Sequence, residues 1–146
     1  MKSSGKKTRH KLQLSEDTGI LFLGLATPEP DYKVSLALNS ILKTRFKGNR
    51  SITVNHGTDL ECSFSRFSSR TEYNDSSFEL VSVRNGACIL DKKLAGLDYL
   101  LIVRGDDMPS FKETIIPGIR EAGEFTAVFV LDDFISAADS ILIQIA

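Results

Sequence analysis

The longest apolar run of the chain, Ile20 to Ala26, has only seven residues. A helix that crosses a bilayer needs about 20 apolar residues, so this run predicts a buried strand and no membrane span. Pro28 and Pro30 follow and end the strand, because proline cannot donate to a sheet ladder. Residues 31–46 then show helical periodicity. The fold is therefore expected to begin with a central strand that leads into an amphipathic helix.

The later segments are mostly short and strand-like, with few helices between them. Strand patterns occupy residues 11–14, 51–55, 60–64, 78–84, 98–104 and 125–130, and helical patterns occupy residues 110–123 and 132–138. Asn85-Gly86 favours a tight hairpin turn, and residues 141–146 fit either a closing strand or a helix tail. This grouping predicts an α+β fold, with a largely antiparallel sheet and two to three helices packed mainly on one face.

Local signals also predict where the two main helices begin and end. Asp31 is expected to cap the first helix, and Gly48-Asn49 to follow its end near Phe46. Residues 110–113 resemble a capping box that opens the second helix. Pro117 lies two turns further on, so we expect the second helix to be short, kinked or split.

A chain of 146 residues is long enough for one domain with its own core. Five of its 18 bases lie in the first eleven residues, which contain no acid, so the remainder carries 13 bases against 19 acids. We predict a disordered basic N-terminal arm at residues 1–9 and a single α+β domain at residues 10–146. The arm lacks aromatic residues and would attract nucleic acid only weakly, so binding of nucleic acid through it is the weakest of the functional hypotheses.

The first helix has two apolar faces. Its core stripe comprises Val34, Ala37, Leu38, Ile41 and Leu42, extended at one edge by Phe46. Tyr32 and Leu36 lie on a second face, one turn apart. Either another part of the chain or a partner is expected to cover them. The connection at residues 89–97 is favoured as the cover, since it carries Leu90, Leu94 and Leu97.

Two segments resemble the motifs of one protein family. Residues 31–39, Asp-Tyr-Lys-Val-Ser-Leu-Ala-Leu-Asn, are similar to a D-Y-R-L-x-W-A-L-N signature. Residues 89–99 resemble the motif that gives its name to the IPExxxVDY family of uncharacterised Bacteroidetes proteins. Residues 89–91 are Ile-Leu-Asp instead of Ile-Pro-Glu, and Leu97 replaces valine. The chain is therefore identified as a divergent member, and the resemblance implies no activity.

Residues that could carry catalysis or hold a metal are few. The only histidines are His10 and His56, and neither has a recognised zinc-ligand spacing to Cys62 or Cys88. The cysteines form no C-x-x-C pair, and no secretory leader is seen, so we expect free buried thiols in a cytoplasmic protein. We predict no catalytic residues, no metal and no cofactor. The acid pairs at 106–107 and 132–133 are interpreted as helix-start residues.

The leading functional hypothesis is a non-catalytic interaction or oligomerisation module, rather than an enzyme. A homodimer is the predicted assembly, formed either through residues 141–145 or through the second face of the first helix; any other protein partner is unknown. The alternative is a small-molecule-binding protein or enzyme with a site near Asp31, Tyr32, Asn39, Asp98 and Tyr99. The residues predicted to contact a ligand or partner are Asp31, Tyr32, Leu36, Asn39, Asp98 and Tyr99.

Overall fold

The computed structural model describes residues 19–55, 61–70, 76–106, 108–131, 141, 144 and 145. Its strands are β1 (Ile20–Ala26), β2 (Lys47–Asn55), β3 (Glu61–Arg70), β4 (Ser77–Ser82), β5 (Arg84–Asn85), β6 (Cys88–Ile89), β7 (Tyr99–Arg104) and β8 (Ala127–Val130). Its helices are α1 (Asp31–Leu42), α2 (Met108–Glu121) and a 3₁₀ helix (Lys92–Leu94). Six strands form one sheet in the order β2-β3-β4-β7-β1-β8, and every neighbouring pair is antiparallel. The predicted α+β class and antiparallel sheet are confirmed.

Each face of the sheet packs against its own hydrophobic cluster. The first cluster joins Leu23 and Leu101 of the sheet to Leu38 of α1 and Ile119 of α2. The second cluster joins Phe22, Phe64 and Ile102 of the opposite face to Leu90, Leu94, Leu97, Ile141 and Ile145. Alternation along each strand sends successive side chains to opposite clusters. The apolar run of β1 is buried on both sides for this reason.

Helix α1 begins and ends differently from the prediction. Pro30, and not Asp31, is the N-cap residue; its side chain forms no capping hydrogen bond, and Asp31 is the first helical residue. The carbonyl of Pro30 accepts from the amides of Lys33 and Val34, each at 3.0 Å. The helix ends at Leu42 because Lys43 adopts the left-handed conformation, with φ 58°. The helix therefore ends four residues before the predicted end near Phe46, and the chain turns there towards β2.

Helix α2 starts earlier than the capping-box pattern indicated. It runs from Met108 to Glu121 as one helix of 14 residues, with Pro109 in its first turn, where proline is well tolerated. It continues through Pro117, so the alternatives of a short or a split helix are wrong, and a kink at Pro117 stays a prediction. Ile115 and Ile119 are buried on either side of the proline, and their packing in the first cluster opposes a break. Among the described residues, no helix has the length and apolar composition needed to cross a membrane.

The structure changes the extent of one predicted strand, the position of one turn and the type of the last segment. Strand β3 continues to Arg70, beyond the strand pattern predicted at residues 60–64, because β4 pairs with residues 66–70. A tight turn is confirmed between β5 and β6, but its two residues are Gly86, with φ 62°, and Ala87, because Asn85 ends β5 and pairs with Cys88. Residues 141, 144 and 145 are helical, and Ile141 and Ile145 are buried in the second cluster. The closing-strand alternative for the last segment is therefore wrong at these residues.

The two cysteines are bonded to each other. Cys62 of β3 and Cys88 of β6 form a disulfide across a separation of 26 residues. The prediction of free thiols is wrong, because the β5–β6 hairpin folds back onto β3 and brings Cys88 beside the apolar face that carries Cys62. The bond ties the start of the connection at residues 88–97 to the sheet.

Several predictions fall outside the described residues. They are the basic arm at 1–9, the strand at 11–14, the histidines at 10 and 56, and the helix at 132–138. The acid pair at 132–133 and the second member of the pair at 106–107 also lie there. These remain predictions, as does the division into an arm and a single domain.

Candidate functional site

The residues predicted as a site lie around helix α1. Asp31, Asp98 and Tyr99 are near its N-terminal end, where strands β1 and β7 lie side by side. Asn39 lies near its C-terminal end. Tyr32 and Leu36 lie on its outer side, 56% and 63% exposed. The structure therefore separates the six residues into an N-terminal group, one C-terminal amide and an exposed apolar pair.

The N-terminal group holds the loop between β1 and α1. The hydroxyl of Tyr99 donates to the backbone carbonyl of Glu29 at 2.7 Å, across 70 residues of sequence. Oδ2 of Asp98 accepts from the backbone N–H of Thr27 at 2.9 Å. The hydroxyl of Thr27 donates in turn to the carbonyl of Glu124 at 2.7 Å. Tyr99, the first residue of β7, and Asp98 directly before it thereby fix the loop that sets the start of α1.

Tyr99 is held as a neutral hydrogen-bond donor. Burial of the side chain and the neighbouring carboxylates together raise the pKa of its hydroxyl from 10.0 to about 12. Burial is the largest cause, and Asp31, Asp98 and Glu29 add to it because a tyrosinate beside them would be repelled. A phenol with this pKa does not act as a base near neutral pH. The surroundings of Tyr99 thus suit a structural hydrogen bond.

Asn39 holds the turn that follows helix α1. Its Oδ1 accepts from the backbone N–H of Phe46 at 2.7 Å and from the hydroxyl of Thr44 at 3.0 Å. Thr44 and Phe46 are both buried, where backbone and side-chain donors need a partner. The Thr44 hydroxyl also lies 3.4 Å from the carbonyl of Leu38, so Asn39 matters most for the N–H of Phe46. One side-chain oxygen therefore fixes the turn that carries the chain from α1 into β2.

Tyr32 and Leu36 are not covered by the connection at residues 89–97. Leu90, Leu94 and Leu97 of that connection are buried in the second cluster, on the face of the sheet opposite to α1. Gly24 of β1 lacks a side chain where Leu97 packs, so the connection sits close against the sheet. The prediction of cover from within this segment is wrong, because the hairpin and the disulfide direct it to the other face.

An open groove runs beside the exposed pair. It has a volume of about 480 Å³ and lies between the outer side of α1 and Glu124. Leu36 and Ala37 supply apolar lining, and Ser40 is a small polar residue at its C-terminal part. Glu29 and Lys33 border it and form an ion pair at 3.8 Å. The groove is thus apolar along its centre and charged along its border.

Sequence reasoning missed part of this surface. Glu29, Ser40 and Glu124 line the groove, yet none belongs to a motif or to the apolar pattern of the helix. The helical spacing of four residues between Tyr32, Leu36 and Ser40 is the one signal that could have linked Ser40 to the exposed pair. Glu124 reaches the groove only through the turn after α2, which no local pattern places.

The chain matches no protein-family model and no curated protein. In the part of the chain that the structure describes, no group of three or more His, Cys, Asp or Glu side chains could hold a metal ion. The site is therefore defined by its geometry. It consists of an exposed apolar helix face whose two ends are fixed by hydrogen bonds to the sheet and to the following turn.

Proposed function

We propose that this protein is a non-catalytic interaction module that forms a symmetric homodimer through the outer face of helix α1. The observation that carries the proposal is the exposure of two large apolar side chains, Tyr32 and Leu36, one turn apart on a helix whose ends are fixed. Exposed apolar groups of this size are unfavourable in water when they adjoin one another. A partner surface that buries both would remove that cost.

A second copy of the chain fits the face better than an arbitrary partner. Tyr32, Leu36 and Ser40 are spaced by four residues and form one ridge along α1. If two copies pack antiparallel about a two-fold axis at Leu36, Tyr32 of each copy lies opposite Ser40 of the other. A large side chain then meets a small one on both sides, and the two leucines meet at the centre.

The charges at the ends of the ridge are complementary in the same arrangement. Glu29, seven residues before Leu36, lies opposite Lys43 of the second copy, seven residues after it. Lys43 is exposed, and the side chain of Glu29 is 39% exposed, so both can contact a second molecule. A two-fold axis makes this contact twice. Self-complementary patches of this kind are typical of two-fold dimers.

Light scattering coupled to size exclusion tests the proposal. One helix face is smaller than a standard interface, so we expect a mass near twice 16.1 kDa at high concentration that falls towards 16.1 kDa on dilution. Leu36→Lys should give the single-chain mass throughout. Phe129→Lys is the matched control, because Phe129 is also an exposed large apolar residue, at 51%, but lies on the edge strand β8.

Charge exchange tests the register. Glu29→Lys and Lys43→Glu should each weaken the dimer, and the double variant should restore it. A mass of 16.1 kDa for the unmodified chain at every concentration would overturn the proposal. So would a dimer that survives Leu36→Lys but is lost in Phe129→Lys.

Membership of the IPExxxVDY family is likewise a proposal. Its support is that Asn39, Asp98 and Tyr99, which match the two motifs, hold the two ends of α1 in the structure. The motifs at residues 31–39 and 89–99 would then both act to hold helix α1 in place. An experimental structure of a family protein tests this, because it should contain the same sheet order and the same three hydrogen bonds.

A cytoplasmic location also remains a proposal, and the cysteine pair tests it. Disulfides persist in oxidising compartments and are rare in the cytosol. A cytoplasmic protein should therefore carry Cys62 and Cys88 as thiols, whereas the structure has them bonded. Alkylation in intact cells followed by mass measurement distinguishes the two states. Two added alkyl groups would support the cytosol, and none would place the protein in an oxidising compartment.

A further inference from the structure

One end of the second sheet face carries arginine and serine side chains. Arg70 of β3 pairs with Ser77 of β4, and Ser77 pairs with Arg104 of β7. Residues directly opposite each other in an antiparallel sheet share a face, so these three side chains form one row across neighbouring strands. The same face carries Ile102, two residues before Arg104 on β7, and Phe22 of the neighbouring strand β1. The row thus borders the second hydrophobic cluster.

Arg104 has an unpartnered buried atom. Its Nε is buried and has no hydrogen-bond partner within the described part of the chain. A buried donor on a charged group without a partner is costly, because the group has lost water without gaining a replacement. Native proteins satisfy nearly all such groups with protein atoms, water or a ligand. The Nε of Arg104 is therefore a donor that a ligand bound at this row would satisfy.

Glu79 of β4, a described acid on the same face two residues from Ser77, already has partners. Oε1 of Glu79 accepts from Nε of Arg66 at 2.7 Å and also accepts from the hydroxyl of Ser68. The side chains of Arg66 and Glu79 are only 9% and 12% exposed, so this ion pair is well protected. Because the charge of Glu79 is already neutralised by Arg66, Glu79 does not balance the positive charges of Arg70 and Arg104.

The other charged groups that the structure describes around the row keep this balance. Lys47 of β2 lies opposite Ser68 on the same face and adds a further positive charge. Asp106 follows β7 by two residues and is exposed. Four bases on or beside this part of the face therefore stand against Glu79 and the solvated Asp106, and the charge of these described residues favours an anion.

We propose that Arg70, Ser77 and Arg104 bind a phosphate group, either inorganic phosphate or the phosphate of a small phosphomonoester. Strands two apart in a sheet are separated by roughly 10 Å, a distance that two converging arginine side chains can bridge around one tetrahedral anion. Guanidinium groups bind phosphate oxygens through paired, charge-assisted hydrogen bonds. The hydroxyl of Ser77, midway between them, supplies a third donor. The Nε of Arg104 gains its acceptor.

Isothermal titration with inorganic phosphate and with phosphoserine, at constant ionic strength, tests this site. We expect saturable binding at one site per chain. Arg104→Gln should weaken it by about tenfold to a hundredfold, the effect of removing one charge-assisted contact. Arg70→Gln and Ser77→Ala should weaken it less. Arg84→Gln is the matched control, because Arg84 is an exposed arginine on β5 outside the row.

Arg104→Lys provides a second check, since it keeps the charge but loses the paired geometry, and should bind phosphate less well than the unmodified chain. If Arg104→Gln fails to fold, the affinities of Arg70→Gln and Ser77→Ala for phosphate provide the test, because Arg70 is exposed and Ser77 is only partly buried. Absence of saturable binding, or equal weakening by Arg84→Gln, would overturn the proposal. Tighter binding of single-stranded oligonucleotides that increases with their length would also overturn it, in favour of an extended surface.

Discussion

The side-chain amide of Gln144 pairs with both backbone polar groups of Thr53. Its Oε1 accepts from the N–H of Thr53 at 2.9 Å, and its Nε2 donates to the carbonyl of Thr53 at 2.9 Å. Thr53 lies on β2, an edge strand of the sheet, whose outer backbone groups would otherwise be open to another strand. The amide of Gln144 occupies the edge as a neighbouring peptide group would. Ile141 and Ile145, buried beside it, hold this contact in place.

Gln144→Ala should therefore open part of the β2 edge. We expect a loss of roughly 0.5–1.5 kcal/mol in the free energy of unfolding and faster aggregation, because an exposed edge templates pairing. Gln144→Glu is the matched control for size, and it keeps only the acceptor. Urea unfolding and light-scattering time courses measure both effects. Unchanged stability and aggregation in Gln144→Ala would show that the contact contributes nothing.

Leu38 and Leu36 differ only in the face of α1 on which they lie. Leu38 is 0% exposed in the first cluster, whereas Leu36 is 63% exposed. Leu38→Ala should lower the free energy of unfolding by about 2–5 kcal/mol, since it removes buried methyl groups and leaves a cavity. Leu36→Ala should change it by less than about 0.5 kcal/mol, measured on the single-chain form at low concentration. Equal losses would contradict the orientation of the helix.

Asn39→Ala should destabilise the turn after α1. It removes the acceptor of the buried Phe46 N–H, and it leaves the Thr44 hydroxyl with only the longer contact to the carbonyl of Leu38. A loss of roughly 1–3 kcal/mol is expected. Ser40→Ala, one residue on and exposed, is the control and should have little effect. Asn39→Asp keeps the acceptor and should retain much of the stability. Equal free energies of unfolding for Asn39→Ala and Ser40→Ala would show that the hydrogen bonds of Asn39 do not stabilise the turn.

Tyr99 should make the protein less stable at high pH. Below pH 10 the hydroxyl is neutral in both the folded and the unfolded chain, so its contribution is fully present. Between pH 10 and about 12 the unfolded chain ionises Tyr99 first, because the pKa of the folded chain is raised to about 12. Stability is therefore lost as pH rises through this window, by roughly 2–3 kcal/mol.

Tyr99→Phe isolates this effect from the titration of other groups. It should cost about 1 kcal/mol at neutral pH, through the lost hydrogen bond to Glu29, and then show a shallower decline above pH 10. Urea unfolding of both proteins across the alkaline range gives the difference. Parallel declines would show that Tyr99 does not titrate differently in the folded chain.

Removal of the Cys62–Cys88 bond should lower stability by roughly 3–4 kcal/mol, from the entropy that a cross-link over 26 residues removes from the unfolded chain. The comparison is between the oxidised chain and the same chain with reductant, by thermal and urea unfolding. The double variant Cys62→Ala, Cys88→Ala is the control, since reductant should not affect it. Quantitative alkylation of both cysteines in the native chain without reductant would contradict the bond.

The sequence alone determined the features that depend on neighbouring residues. The apolar run at 20–26, the helical stripe through Val34 and Leu38, and the Asn85-Gly86 hairpin follow from side-chain period and from turn chemistry. These patterns also placed Tyr32 and Leu36 outside the core stripe, as the structure shows. The sequence determined the boundaries of helix α1 less well. The helix begins after Pro30 and ends before Lys43, which is in the left-handed conformation, and not at the residues expected to cap it.

Only the tertiary structure decided which distant groups meet. Packing between elements brings Cys62 to Cys88, Tyr99 to the loop at Glu29, and Gln144 to an edge 91 residues away in sequence. No periodicity within one segment contains this information, since these contacts depend on where separate elements lie in the fold. The same packing places Leu97 in the second cluster and leaves Leu36 exposed. A local pattern shows that a side chain is apolar, but the packing of the whole sheet decides what covers it.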